Sequence, residues 1–467
     1  MIFQRLYDEA LAQASYLIGC AATGEAIVVD PNRDLDQYFS SAERAGLRIT
    51  AVTETHIHAD FLSGARELAR RAGAQLLLSD CGDAGWKYGF AAGDKARLLR
   101  DGETFKVGNI AFRAVHTPGH TPEHLSFIVT DTAASDDPMG ILSGDFVFCG
   151  DVGRPDLLEK AAKVAGSADS AARTLWRSLE RFRALPDHLQ LWPGHGAGSA
   201  CGKGMSAVPQ STVGYEKRVN WAFQAPDEAT FVRNVLAGQV EPPRYFATMK
   251  RLNRDGPPPL PQGALPPRLP DAELAASDAR VRVDLRPTAD FAAGHVPGSI
   301  NIPWNRSFTG RAGTFLPYDR DLALILPGPD GAELTAVRTA LGSIGLDRVA
   351  GWWPAASLDR WSAAGGRPHG VAQASVSALP AGALIVDVRS GAEWEAGHIR
   401  GARHIPVEEL ADRLDELPRD RPLVLQCQTG GRSAVAASVL LARGVPNVLN
   451  LAGGITAWAA SGLPVER

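Results

Sequence analysis

The chain has 467 residues, of which 45% are hydrophobic and 21% are charged, with a formal net charge of −4. This length exceeds what one hydrophobic core usually organises, and the charge balance offers no basic field for nucleic acid. No apolar run approaches the roughly 20 residues that cross a bilayer. The five cysteines are thinly spread, which argues against a disulfide framework and favours a reducing compartment. We therefore expect a cytoplasmic, multidomain protein without nucleic-acid or membrane partners.

The first half of the chain alternates short β-branched segments with helical ones. The segments EAIVVDP (25–31) and ITAVTETH (49–56) predict strands, and DLDQYFSSAERAG between them predicts an amphipathic helix. The alternating pattern resumes in FKVGNIAFRAVHT (105–117) and HLSFIVTD (124–131). These elements predict an α/β domain, which we place at residues 1–252.

A proline-rich segment and an internal repeat divide the rest of the chain. NRDGPPPLPQGALPPRLP (253–270) has too many prolines for a helix or a central strand, which predicts an extended linker. Beyond it, VDLRPTADFAAGHVPGSINIPW (283–304) is similar to VDVRSGAEWEAGHIRGARHIPV (386–407). We assign two small α/β domains with parallel sheets to residues 271–369 and 370–467.

Histidine and aspartate recur directly after predicted strands of the first domain. ETHIHADFLSG carries a His, a second His and an Asp on alternate positions, and HTPGHTPEH, SGDFVF and WPGHGAG follow it. The candidate ligands are His56, His58, Asp60, His120, Asp145 and His195. Imidazole and carboxylate are ligands for zinc or iron, and loops at strand ends bring such groups together. Four such loops in succession predict a metal site.

The motifs HxHxD, TPGHT, SGD and PGHG, in this order, resemble those of the metallo-β-lactamase fold. The resemblance implies an αββα sandwich in which His56, His120 and Asp145 bind metal. The remaining ligand positions of dinuclear members match His58, Asp60 and His195. These three side chains either bind a second ion or orient the ligands of the first.

Phe61 bears on the number of metal ions. Dinuclear hydrolases of this fold have a histidine at that position, and phenylalanine has no lone pair to offer. Two histidines and one carboxylate around an otherwise open ion form the facial arrangement of non-haem Fe(II) oxygenases. We therefore predict one Fe(II) per chain, while Asp60 and His195 leave a weaker second site open.

Two further residues of this domain are candidates for substrate binding. Arg154 follows the metal-binding Asp and could hold an anionic group, or it could pair with Asp151 or Asp156 instead. Cys201 lies close to His195 in sequence and could face the metal pocket, although packing is the commoner use of a free cysteine.

The segment LVLQCQTGGRSAVAASVLL (423–441) predicts a strand, a tight loop and a helix, with Cys427 opening the loop. Backbone N–H groups and the helix N-terminus should stabilise a thiolate there, which makes the sulfur nucleophilic near neutral pH. Arg432 can add positive charge or hydrogen-bond to the loop carbonyls. The candidates for substrate binding in the loop are Gln428, Thr429, Gly430 and Gly431.

This last unit resembles the rhodanese sulfurtransferases through DVRSGAEWEAGHIRGARHIP. The resemblance implies that Cys427 carries sulfur. Scaffold roles are favoured for the other signature residues, which are Asp387, Arg389, Glu393 and His398.

The middle repeat lacks the sulfur-carrying residue. Pro327 stands in the place of Cys427, and Ala332 stands in the place of Arg432. Without the thiol no sulfur can be carried, so we predict an inactive rhodanese-like domain that serves as a spacer or a docking surface.

Along nearly its whole length the chain resembles multidomain persulfide dioxygenase–sulfurtransferases. The resemblance implies that an Fe(II) site oxidises low-molecular-weight persulfides, carried by glutathione, CoA or a similar thiol, with O₂ to sulfite. Cys427 would then interconvert persulfide, sulfite and thiosulfate, as in sulfide detoxification, within a homo-oligomer. Two alternatives are a zinc-dependent thioester hydrolase of the glyoxalase II type with regulatory rhodanese domains, and a sulfide-sensing scaffold with an idle metal site.

Overall fold

The computed structural model describes residues 1–157, 159, 166–239, 241–261, 263–276 and 279–467. By its internal contacts the chain divides into two compact units, of which the first comprises Met1–Pro261 with Gly342–Gly345 and the second comprises the remainder. Among the described residues, no helix combines the length and the apolarity needed to cross a bilayer.

The first unit is built on two six-stranded sheets. The strands of the first sheet, in their spatial order, are Ile2–Asp8, Gln13–Cys20, Glu25–Val29, Arg48–Thr53, Gln75–Ser79 and Arg97–Leu99. The strands of the second are Ser211–Thr212, Gln190–Pro193, Gly140–Gly144, Leu125–Asp131, Ile110–His116 and Thr104–Val107. One hydrophobic core, which includes Tyr16, Ile27, Phe112, Phe127 and Trp192, draws on both sheets and therefore lies between them.

Helices cover the outer face of each sheet. Those against the first sheet are Leu35–Arg44 and Ala65–Ala72, which pack with Val28, Val52 and Leu76. Those against the second sheet, which pack with Ile128, Ile141 and Leu191, are Ser167–Arg183, Val213–Val219, Trp221–Gln224 and Glu228–Leu236. A further helix, Tyr245–Asp255, contacts the loop that follows the strand Arg48–Thr53. The order of layers is thus helix, sheet, sheet, helix, which confirms the predicted αββα sandwich.

The predicted linker begins too early. The helix Tyr245–Asp255 runs past residue 253, and it buries Tyr245, Phe246, Met249 and Asn253. This helix continues because its buried face still has a core to contact, whereas the prolines that end it start only at residue 257. Farther along, Leu269 donates its N–H to the Trp352 carbonyl, 2.8 Å away, so the end of the segment pairs with the middle domain. Residue 262 of the predicted linker lies outside the described residues.

Both repeats of the second unit contain a parallel sheet with the same strand order. In the middle repeat the strands, in spatial order, are Ile300–Asn301, Val281–Asp284, Leu322–Leu326 and Val349–Pro354. In the last repeat they are Arg403–His404, Leu384–Asp387, Leu423–Gln426 and Val448–Leu451, with Ala372–Ala374 added at one edge. A two-stranded sheet pairs His398–Ile399 with Val465–Glu466.

The helices of the two repeats correspond except for Phe308–Phe315, which has no α-helical counterpart among residues 370–467, all of which the structure describes. The middle repeat has Thr288–Ala293, Phe308–Phe315, Leu334–Gly342 and Ala356–Ala363, and the last has Gly391–Ala396, Gly431–Ala442 and Gly454–Ala460. The signature residues serve the scaffold in both repeats. Arg389 forms a two-pronged ion pair with Asp387 and donates to the Gly397 carbonyl, and Arg286 does the same with Asp284 and Gly294.

Candidate metal centre and thiol loop

The candidate metal ligands lie at the ends of strands, in loops that meet at one edge of the sandwich. His56 follows the strand Arg48–Thr53, and Asp145 follows Gly140–Gly144. His120 lies in the loop between two strands of the second sheet, and His195 comes directly after Gln190–Pro193. All four side chains are buried.

His56, His120 and Asp145 form one group, with one ligand atom of each within 4.8 Å of the others. The Oδ2 atom of Asp145 lies 3.4 Å from Nε2 of His120 and 3.9 Å from Nε2 of His56. Both Asp145 Oδ2 and His56 Nε2 are buried without a hydrogen-bond partner. Leaving such atoms unsatisfied costs about 1–3 kcal/mol each, and a cation at the centre of the group would remove that cost. The residues therefore fit a metal ion.

Hydrogen bonds hold both histidines of this group in the tautomer that binds metal. Nδ1–H of His120 donates to the Arg154 carbonyl at 2.9 Å, because a carbonyl can only accept. Thr55 donates its hydroxyl proton to the Asp30 carboxylate at 2.9 Å, so its oxygen accepts from Nδ1–H of His56, also at 2.9 Å. Burial lowers the pKa of both imidazoles, which keeps them neutral. Each Nε2 lone pair is thus free to bind a metal.

His195 links the first group to a second one. Its Nδ1 lies 2.7 Å from Oδ1 of Asp145, and its Nε2 lies 2.7 Å from Oδ2 of Asp60. Burial opposes a charge on this ring, but the two carboxylates outweigh burial and raise the pKa of His195 well above its ordinary value. Its hydrogen bond to Oδ1 of Asp145 orients that carboxylate, so that Oδ2 faces the two candidate metal-binding histidines.

Asp60, His195 and Cys201 also bring one ligand atom each within 4.8 Å of the others. These three side chains offer a second set of candidate ligand atoms. The Cys201 side chain is buried, and burial together with Asp60 and Asp145 raises the pKa of its thiol well above the ordinary value. The structure thus places Cys201 at the metal pocket, while its part in catalysis stays a prediction.

His58 and Phe61 lie beside the first group. His58 Nε2 is 3.0 Å from Oδ1 of Asp30, and Asp30 raises the pKa of His58 to about 9 despite the opposing effect of burial. Its Nδ1 is buried without a partner. The Phe61 ring is fully buried with its centroid 4.4 Å from that of His58, so an apolar ring without a metal-binding atom lies beside this histidine.

Arg154 is held inside the protein. Its guanidinium makes two 2.7 Å hydrogen bonds to Asp156 and a third, of 3.2 Å, to the Ala200 carbonyl. Because these bonds occupy a buried side chain, the geometry favours the ion pair over the alternative of substrate binding.

Two residues that support the site were missed by sequence reasoning. Asp30 accepts hydrogen bonds from the Thr55 N–H and hydroxyl and pairs with His58, and its position directly after the buried strand EAIVV was the available signal. Asn253, which the sequence assigned to the linker, donates to the carbonyls of His58 and Phe61 at 2.8 Å each. No local pattern marks Asn253, because its partners lie far away along the chain.

Close packing at Gly153 predicts a severe effect of a single methyl group. A Cβ added there would lie 1.8 Å from the Asp145 carbonyl oxygen and 3.1 Å from the His120 Cβ. We expect Gly153→Ala to lower the free energy of unfolding by about 2 kcal/mol, as overpacking does, and to reduce metal content because both ligands must move. Gly204→Ala is the matched control, since its Cβ would have no neighbour closer than 3.8 Å. Equal metal content in the two variants, measured by elemental analysis, would refute this.

Cys427 directly follows the strand Leu423–Gln426, and its sulfur accepts a hydrogen bond from the loop that comes next. The side chain is 1% exposed, and its Sγ accepts a hydrogen bond from the Gly430 N–H at 3.2 Å. Gly430 has φ +99°, a conformation that favours glycine and that turns this N–H toward the sulfur. Burial raises the pKa of the thiol, but hydrogen bonds from Ser433, Thr429 and Gly430 outweigh it and lower the pKa overall.

Arg432 and Gln428 have definite partners in the structure. Arg432 makes a two-pronged ion pair with Glu393 at 2.6 and 2.7 Å, rather than contacting the loop carbonyls. This pairing follows from the capping of the helix Gly391–Ala396, where Ser390 and Glu393 form a reciprocal capping box that fixes the carboxylate. Gln428 bonds to Thr456 through its side-chain amide and its carbonyl, while the Thr429 side chain is exposed. Their roles in binding substrate stay predictions.

The Ser433 hydroxyl has one proton and two possible acceptors. We therefore expect removal of this hydroxyl to change the pKa of Cys427 only slightly. The hydroxyl lies 2.6 Å from Asn450 Oδ1 and 3.4 Å from Cys427 Sγ, so the proton goes mainly to Asn450. The alkylation rate of Cys427 should fall as pH drops through its lowered pKa. We expect Ser433→Ala to move that midpoint only part of the way back to the ordinary thiol value, because the backbone donors remain. Mass spectrometry of alkylated Cys427 across pH measures it, and a return to the ordinary thiol value would contradict the backbone's role.

Comparisons with known proteins identify the two domains that carry these groups. The model of the metallo-beta-lactamase superfamily matches residues 8–195, and that of the rhodanese-like domain matches residues 373–461. A crystal structure of a metallo-beta-lactamase from Staphylococcus aureus is 43% identical, covers 76% of this chain and 99% of its own, and superposes with a TM-score of 0.69. The chain belongs to the metallo-β-lactamase superfamily. Its C-terminal part is a rhodanese domain.

Two curated relatives each match one part of the chain. A sulfurtransferase from Allochromatium vinosum is 44% identical over 82 residues, which are 18% of this chain and 77% of that protein. A hydroxyacylglutathione hydrolase from Rhodospirillum rubrum is 31% identical over 180 residues, which are 38% of this chain and 60% of that protein. The metallo-β-lactamase fold and the rhodanese domain indicate an enzyme, and the buried His/Asp group has the residue types to hold a metal ion.

Proposed function

We propose that the protein is a non-haem Fe(II) persulfide dioxygenase coupled to a sulfurtransferase. The observation that carries the proposal is the pairing, on one chain, of a two-histidine, one-carboxylate group with a buried thiol that accepts a hydrogen bond from the Gly430 N–H. The first suits a redox-active ion with open coordination positions, and the second suits the transfer of sulfane sulfur. Small persulfides are substrates that both sites can use.

In the metallo-β-lactamase domain, His56, His120 and Asp145 would hold the ion. Thr55 and the Arg154 carbonyl fix the two histidines, and His195 fixes the carboxylate. Bound Fe(II) would supply the redox chemistry that allows O₂ to oxidise sulfur. The overall reaction consumes one persulfide anion, one O₂ and one water, and it releases the carrier thiol, sulfite and one proton.

In the rhodanese domain, the Cys427 thiolate attacks the outer sulfur of a second persulfide. A new S–S bond forms at Cys427, the old S–S bond breaks, and the carrier leaves as a thiolate with the electron pair. The Gly430 N–H, which now contacts the Cys427 sulfur, is placed to stabilise the anionic persulfide. Sulfite then takes the outer sulfur, which produces thiosulfate and regenerates the thiolate.

Metal analysis of anaerobically purified protein, combined with O₂ uptake on addition of glutathione persulfide, tests the proposal. We expect about one iron per chain and O₂ uptake that depends on the persulfide. Two zinc ions per chain together with cleavage of a glutathione thioester would overturn it.

A zinc-dependent thioester hydrolase of the glyoxalase II type is the second candidate. Two observations favour it, namely the similarity to hydroxyacylglutathione hydrolases and the second group of Asp60, His195 and Cys201. Against it, Phe61 removes one ligand position, and His195 already bonds to two carboxylates. The same metal analysis separates the two candidates.

A further inference from the structure

The middle domain packs on the helix that follows the sulfur-carrying cysteine. This helix, Gly431–Ala442, is apolar nearly all round, and Val435 to Leu440 are buried. The strand Ile300–Asn301 and the helix Thr288–Ala293 contact it, and the Asn301 N–H donates to the Ser438 hydroxyl at 3.0 Å. A helix without a polar face needs cover on every side, and the middle domain supplies part of that cover.

The same packing brings Arg311 of the middle domain to the thiol loop. Arg311 lies on the helix Phe308–Phe315 and is half-buried. A Cβ added at Gly431, the first residue of the helix after Cys427, would lie 3.9 Å from Arg311 Nη2. The guanidinium therefore lies close to the residue that follows the thiol loop, although Arg311 belongs to a domain that has no thiol.

Arg311 is a cation without a compensating carboxylate. Among the residues that the structure describes, none of the charges acting on it is a carboxylate, and it forms no ion pair. Burial lowers the pKa of the guanidinium, the Cys427 thiolate raises it and Arg432 lowers it, yet an arginine stays protonated. Arg432, by contrast, is already neutralised by Glu393. A half-buried, unpaired cation near the loop of a nucleophilic sulfur is suited to an anionic ligand.

We propose that Arg311 is a specificity-determining residue of the Cys427 site and binds the sulfonate oxygens of thiosulfate, or those of sulfite when it accepts sulfur. The proposal rests on the sulfurtransferase function proposed above. The planar guanidinium can donate two parallel N–H bonds to a pair of sulfonate oxygens, which a point charge cannot do. The middle domain thus takes part in the chemistry although it carries no sulfur itself.

The step that Arg311 assists is balanced without further reactants. The Cys427 thiolate attacks the outer sulfur of thiosulfate, an S–S bond forms at Cys427, and sulfite leaves with the electron pair of the broken S–S bond. Three negative charges are present before and after the transfer. In reverse, the Cys427 persulfide passes its outer sulfur to sulfite, whose oxygens Arg311 holds.

Steady-state sulfur transfer from thiosulfate tests this role. We expect Arg311→Gln to raise KM for thiosulfate about tenfold or more, because the variant loses a hydrogen bond to a charged group. The change in kcat should be smaller. Arg311→Lys should restore part of the affinity, because it keeps the charge without the fork. Arg367→Gln is the matched control, since it removes an exposed arginine from the same domain. A KM within twofold of that control would overturn the proposal.

Alkylation of Cys427 tests whether Arg311 binds an anion independently of whether the protein is a sulfurtransferase. The ratio of the iodoacetate rate to the iodoacetamide rate, read on the Cys427 peptide by mass spectrometry, reports the attraction of an anion without any turnover. We expect Arg311→Gln to lower this ratio about tenfold and to leave the iodoacetamide rate nearly unchanged, which also shows an intact loop. An unchanged ratio would overturn the subsite. A lowered ratio in a protein that transfers no sulfur would support the subsite and overturn the sulfurtransferase function.

Discussion

Replacement of Asp145 with asparagine is expected to reduce iron content and persulfide-dependent O₂ uptake by at least about 100-fold. Mutation of a residue that only orients a metal ligand typically lowers metal affinity or activity about 10–100-fold, and Asp145 is a candidate ligand itself. Asparagine keeps the shape of the side chain but carries no charge and has one acceptor oxygen in place of two. Oδ2 of Asp145 is the unpartnered atom that faces both histidines, and Oδ1 accepts from His195. Elemental analysis after anaerobic reconstitution and an O₂ electrode measure the two losses.

Asp60→Asn provides the comparison that distinguishes one ion from two. Asp60 contacts His195 but does not belong to the group of His56, His120 and Asp145. If a single ion does the chemistry, loss of Asp60 should weaken activity only through the orientation of His195, by about tenfold. If Asp60→Asn loses as much metal and O₂ uptake as Asp145→Asn, the centre works as a pair of ions and the single-iron proposal is wrong.

Cys427→Ser is expected to spare O₂ uptake and to lower thiosulfate formation more than about 1,000-fold, as the loss of a nucleophile typically does. A serine hydroxyl is not ionised near neutral pH and cannot carry a persulfide. The metal ligands of the metallo-β-lactamase domain do not depend on this thiol, so sulfite should accumulate in place of thiosulfate. Chromatographic quantification of sulfite and thiosulfate, taken with the O₂ trace, measures both halves of the expectation.

Cys81→Ser is the control for the loss of a thiol as such. Cys81 is partly buried in the first unit and belongs to neither metal-binding group nor the thiol loop. Its replacement should leave O₂ uptake and thiosulfate formation unchanged. Equal loss of both activities in Cys427→Ser, with Cys81→Ser intact, would contradict the division of labour between the two sites.

Local patterns predicted the regular elements well where the local signal and the packing agree. The amphipathic segment at residues 34–46 forms the helix Leu35–Arg44, and the strand predicted at residues 25–31 is Glu25–Val29. The predicted start of the linker was wrong because Asn253 forms hydrogen bonds with residues of the HxHxD loop, 190 or more residues earlier in the chain. These contacts hold the helix of Asn253 against the first domain. Tertiary contacts of this kind leave no mark in the neighbouring sequence.

The sequence by itself determined the inventory of chemistry, namely the candidate metal ligands and the single loop thiol. It could do so because ligands and nucleophiles must be particular residue types, and because parallel strands end at a common edge where their loops converge. Only the tertiary structure decided the partners of these groups: His195 between two carboxylates, Arg154 on Asp156, and Arg432 on Glu393. Only packing brought Arg311 close to Gly431, where it acts electrostatically on Cys427, since a charge acts through distance in space and not through distance along the chain.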